Sequence, residues 1–76
     1  MSSIKKVVPR EDYRLEVLFD NGTTVILNLE GRLSTVRFGL LRDKDFFARV
    51  TTDGNFIRWE DTIEISISEV FQLAQK

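Results

Sequence analysis

The sequence predicts an α+β fold: a small antiparallel sheet of two hairpins plus a short N-terminal strand, a short middle helical turn and a C-terminal helix packed on the sheet. Three observations carry this. Residues 13–19 alternate apolar and polar almost throughout, and are followed by Asp20-Asn21-Gly22 and a second apolar-rich run over residues 23–29. A second pair of short runs flanks Asp53-Gly54, a turn signal. Near the end, Ser66-Ile67-Ser68-Glu69 has the Ser-x-x-Glu spacing that starts a helix.

Taken in order, Ile4-Lys5-Lys6-Val7-Val8 reads as a short strand, and Pro9 marks a break or a sheet edge because proline gives no donor to a ladder. The strand is expected to lead into the first hairpin. A two-residue Asn21-Gly22 loop would mix apolar and polar side chains on both faces of that hairpin. A three-residue loop, Asp20-Asn21-Gly22 with Gly22 left-handed, instead pairs Val17 with Val25, Leu15 with Leu27 and Tyr13 with Leu29, so that one face is wholly apolar. A slip by one residue would reverse the faces, so burial selects this register and predicts a positive φ at Gly22.

Residues 30–39 mix breakers and apolar residues without a period, and are expected to form a loop with a helical turn. Asp43 is placed to cap a short turn over residues 44–47. For the second hairpin, a two-residue Asp53-Gly54 turn sets Val50 opposite Ile57, Ala48 opposite Trp59 and Arg49 opposite Arg58. Thr62-Ile63-Glu64-Ile65 alternates briefly. The helix is expected to begin at Ile67, with Ile67, Val70, Phe71 and Ala74 forming one apolar stripe. All 76 residues fall within one expected domain, since a chain this short supports one core.

Composition narrows the chemistry. The chain has 42% hydrophobic and 30% charged residues, a globular balance. It contains neither cysteine nor histidine, which removes thiolate zinc sites, Ser-His and Cys-His nucleophile pairs and the side chain best suited to proton transfer near neutral pH. No catalytic residue and no cofactor is therefore assigned, and an enzyme is not expected. Eleven Lys and Arg against twelve Asp and Glu, scattered along the chain, argue against a nucleic-acid face. The start of the chain lacks the apolar core of a signal peptide, and no run reaches the ~18 apolar residues of a membrane helix. A cytoplasmic protein with no membrane contact is the expectation.

Two constellations remain as candidate sites. Glu60, Asp61 and Glu64, around Trp59, could hold a hard cation such as Mg²⁺, although turns and strand ends favour solvated acids for ordinary reasons. Arg10, Arg14, Arg49 and Arg58 could form a patch for an acidic partner or RNA, with Tyr13 or Phe56 as a base-stacking surface, but solvated charge on the outer face of a half-buried sheet is the commoner explanation. Leu18, Ile26, Phe38, Leu40 and Phe56, with Arg58 beside them, exceed what one small core can take. Either the C-terminal helix or the middle loop covers them, or they form the candidate interaction surface, for a protein partner or for self-association.

The hairpin from Tyr13-Arg14-Leu15 to Phe19-Asp20-Asn21-Gly22, the segment 41–46, and Trp59-Glu60-Asp61 followed by Ile63-Glu64-Ile65 resemble a small bacterial family, domain of unknown function 2442. Members commonly carry glycine, aspartate and proline where this chain has Thr62, Glu64 and Ile67. Helix initiation here must then rely on Ser66 and Glu69. The resemblance implies a small antiparallel sheet with one or two helices, and no catalytic residues. Some members stand beside toxin-like small proteins or are fused to DNA-binding domains, which implies a regulatory or interaction role.

Overall fold

Two three-stranded antiparallel sheets contribute to one core, described over residues 2–74 of a computed structural model. The first contains β1 (Ile4–Arg10), β2 (Arg14–Phe19) and β3 (Thr24–Asn28), in that spatial order. After a stretch of 3-10 turns and a one-turn helix, α1 (Lys44–Phe47), the second sheet contains β4 (Thr51–Thr52), β5 (Phe56–Trp59) and β6 (Ile63–Ser66). The chain then enters α2 (Ile67–Ala74). Residues 75 and 76 lie outside the described residues.

The first hairpin has the register that burial selects. Val17 pairs with Val25 and Leu15 with Leu27, and the Leu29 N–H donates to the Tyr13 carbonyl at 2.9 Å. The loop is residues 20–22: the Phe19 N–H donates to the Thr23 carbonyl, the Gly22 N–H to the Phe19 carbonyl, and Gly22 has φ +91°. Leu15, Val17, Leu27 and Leu29 are buried, with Tyr13 and Val25 half-buried at the margins of the same face.

On the other side of β2, β1 is the edge strand that Pro9 allows, with Lys5 as an extra residue in a bulge. Lys5, Lys6 and Pro9 together blunt that edge. A tight turn with left-handed Asp12 and Tyr13 joins β1 to β2. Tyr13 is held there by its hydroxyl, which donates to the Arg42 carbonyl at 2.6 Å, and by an edge-on contact with Phe47.

The second hairpin departs from expectation by two residues. Thr52 pairs with Ile57 and Thr51 with Arg58, so neither the Val50–Ile57 nor the Arg49–Arg58 pair forms. The loop chemistry is the reason. Asp53 accepts hydrogen bonds from the Asn55 and Phe56 N–H groups, and the Thr52 hydroxyl donates to the Phe56 carbonyl, which closes a longer loop with Gly54 at φ +100°. The shift leaves Ile57 and Trp59 on the core side while Arg49 reaches Glu60 instead of Arg58. Residues 63–66 form a full third strand, pairing Trp59 with Ile63 and Ile57 with Ile65.

Between the sheets lie Ile4, Phe19, Ile57, Trp59, Ile63 and Ile65, with Leu29, Phe38, Leu41 and Phe47 supplied by the connecting turns and Val70 by α2. Trp59 is fully buried; its indole N–H donates to the Phe47 carbonyl at 2.9 Å and its ring stacks on Phe47. Asp43 caps α1 by accepting from the Asp45 and Phe46 N–H groups. At the start of α2 the Ser66 hydroxyl accepts the Glu69 N–H, but the Glu69 carboxylate turns to Arg37, so only half of the capping box forms. The helical stripe is anchored by buried Val70, with Ile67 and Leu73 half-buried, whereas Phe71 is 44% exposed and Ala74 is exposed. Phe71 nevertheless stacks on Phe19 at 5.4 Å.

Candidate interaction surface

Strand pairing places the outward residues of the first sheet in three rows. They are Lys6–Leu18–Thr24, Val8–Glu16–Ile26 and Arg10–Arg14–Asn28. Val8 and Ile26 thus flank Glu16, and Leu18 stands one row away. Ile26 is 52% exposed, and Leu18 and Val8 are half-buried. The Glu16 carboxylate crosses the face to Arg10, 2.9 Å away, and Arg14 reaches Asp12 at 3.5 Å. Glu16 thus stands at the centre of the face between Val8 and Ile26, with Leu18 one row away and both Arg10 and Arg14 paired with acids.

The other candidates divide. Phe38 is 4% exposed and belongs to the core, contrary to expectation: the turns around it fold it inward, where the Arg37 guanidinium lies 4.7 Å above its ring. Leu40 is 54% exposed on a 3-10 turn. Phe56 and Arg58 lie on the outer face of the second sheet, apart from Leu18 and Ile26. There Arg58 stacks over Phe56 and is held by Glu64 and Asp53, each at 2.6 Å. The Asn55 and Phe56 N–H groups, and then Arg58, lower the Asp53 carboxyl from 3.8 to about 2. Arg58 is thus already engaged within the chain.

Three further apolar residues are exposed or face outward, beyond those expected from the sequence. Val8 faces outward opposite Glu16, a side that its short strand alone does not define. Val36 is fully exposed within a segment that has no period to read, and Phe71 is 44% exposed although it falls on the apolar stripe of α2.

Nor do Glu60, Asp61 and Glu64 converge. Glu60 pairs with Arg49 at 3.1 Å and Glu64 with Arg58, so arginines stand where a cation would. Among the described residues no group of three or more carboxylates is placed to hold a metal ion. These residues line a depression of about 200 Å³ beside Glu60, whose backbone is left-handed at φ +54°. A larger hollow of about 580 Å³ lies between the β1–β2 turn and α1, lined by Arg10, Glu11, Asp12 and Tyr13 on one side and by Lys44 and Phe47 on the other.

Among the described residues no helix is long and apolar enough to cross a membrane. No curated protein and no solved structure matches the chain. Residues 4–75, nearly the whole chain, match the family described as protein of unknown function DUF2442, and the chain belongs to that family.

Proposed function

We propose that this chain is a non-enzymatic protein-interaction module that works by presenting the outer face of its first sheet to a partner. The supporting observation is Ile26, half exposed beside Leu18 and Val8 on a sheet face that polar residues normally occupy when water is its only neighbour. The finer form of the proposal is a regulatory role, as the antitoxin-like member of a two-protein system. Leu18→Ser with Ile26→Ser tests it. The doubly substituted chain keeps its fold by circular dichroism and loses the protein that the unaltered chain captures from its own cells. Capture that is indifferent to the two substitutions contradicts the proposal.

A competing reading is a small-ligand or metal sensor at the Trp59–Glu64 turn. It draws on the depression there and on the left-handed Glu60. The buried Trp59 reports on it directly: titration with Mg²⁺ or Ca²⁺ that changes neither fluorescence nor melting temperature removes this reading.

A further inference from the structure

Three of the four sheet edges among the described residues are guarded. β1 carries a bulge, two lysines and Pro9. β4 is two residues long, and β1 closes on its hairpin, where the Ile4 N–H donates to the Gly54 carbonyl at 2.8 Å. On β6 the Glu64 carbonyl accepts from the Arg37 guanidinium at 2.6 Å. β3 has no such protection: Thr24-Val25-Ile26-Leu27-Asn28 contains no charge, proline or glycine.

The phase of the ladder fixes which groups that edge offers. Backbone hydrogen bonds join Tyr13 to Leu29 and Phe19 to Thr23 at the two ends of the hairpin. Bonded and non-bonded pairs alternate along an antiparallel ladder, so Val25 and Leu27 turn their N–H and C=O groups to β2 while Thr24, Ile26 and Asn28 turn theirs outward. No strand lies beyond β3, and among the described residues these outward backbone groups have no hydrogen-bond partner. All three residues are exposed. α2 meets β3 through the core, where Leu27 and Val70 are both fully buried.

The outward set is its own complement. A second copy related by a two-fold axis at Ile26 sets Ile26 opposite Ile26 and Thr24 of each copy opposite Asn28 of the other, every pair exchanging two backbone hydrogen bonds. No charge meets a like charge across that seam. Ile26 gains a neighbour for its 52% exposed side chain, and half-buried Val25 comes to lie opposite Leu27 of the other copy.

We propose that β3 pairs antiparallel with β3 of a second copy of this chain, joining the two first sheets edge to edge. The seam leaves Val8 and Leu18 of the outer face open, so it goes beyond the docking reading above and does not depend on it. Because the chain has no cysteine, single-cysteine variants report the register. Full chains carrying Thr24→Cys and Asn28→Cys, one of them tagged, are mixed and oxidised. The expected disulfide joins position 24 to position 28, where opposite Cα atoms lie about 5.5 Å apart, and two copies of the same variant stand too far apart to link. In light scattering after size exclusion, the unaltered chain runs as a dimer, and Ile26→Lys, with unchanged circular dichroism, weakens association by about tenfold or more.

A strict monomer at every concentration, linkage of 24 to 24 or of 28 to 28, or a dimer indifferent to Ile26→Lys overturns the seam. Each readout uses the purified chain alone, so this failure is distinct from a failure to capture a different protein on the outer face.

Discussion

Leu27 and Ile26 are adjacent on β3 and face opposite ways, so replacing each in turn by alanine measures which side of the ribbon is dry. Leu27 is fully buried; Ile26 is 52% exposed. A buried Leu→Ala change costs about 2–5 kcal/mol because lost transfer energy and a residual cavity add. A chain of 76 residues has about 4–11 kcal/mol of total stability, so a loss of about 3 kcal/mol is a large part of it. At about 4–8 °C per kcal/mol for this size, Leu27→Ala should lower Tm by about 12–24 °C. Ile26→Ala leaves no closed cavity and removes only the buried half of its contact, about 1 kcal/mol, so its Tm should fall by less than half as much. Urea titration read by circular dichroism gives both values, with equal slopes if neither change alters the extent of unfolding. Equal losses at the two positions, or a greater one at Ile26, would refute the register and the outward face with it.

Gly22→Ala should cost about 1–2 kcal/mol, all from the left-handed backbone, since the added Cβ meets nothing within 4 Å; Gly22→Asn should lose less, and thermal melts compare them. Trp59→Phe should cost at least about 1–3 kcal/mol in urea unfolding, because it leaves the buried Phe47 carbonyl without its indole donor. The Asp53 carboxyl is lowered to about 2 in the folded chain from 3.8, so its stabilisation is complete above 3.8 and is lost as pH falls through about 2. Asp53→Asn should therefore narrow the stability difference between pH 5 and about 2, seen as a flatter dependence of Tm on pH.

The first hairpin was legible because two independent constraints agreed: an alternating apolar set and a three-residue loop that places Gly22 at positive φ. The second was legible only in its faces. Registers two residues apart put the same side chains inward, so Ile57 and Trp59 are buried in either, and alternation cannot choose between them. The choice falls to Thr52 and Asp53, whose side chains close the loop, and a dipeptide turn signal does not weigh them. The start of α2 was readable from Ser66, whereas the turning of Glu69 to Arg37 joins positions 32 residues apart. The same holds for the candidate surface. Leu18 and Ile26 could be recognised as surplus to the apolar face of their own hairpin, but Phe38 could not be recognised as core, because the 3-10 turns that fold it inward have no hydrophobic period.

The claim that the outer face of β1, β2 and β3 is a docking surface is tested most directly by amide shift mapping. The partner captured by the unaltered chain is titrated into the isotope-labelled protein. Perturbations should group at Val8, Glu16, Leu18 and Ile26, with the residues around Trp59 and Glu64 unchanged. Perturbations centred on residues 59–64, with that sheet face silent, would contradict it.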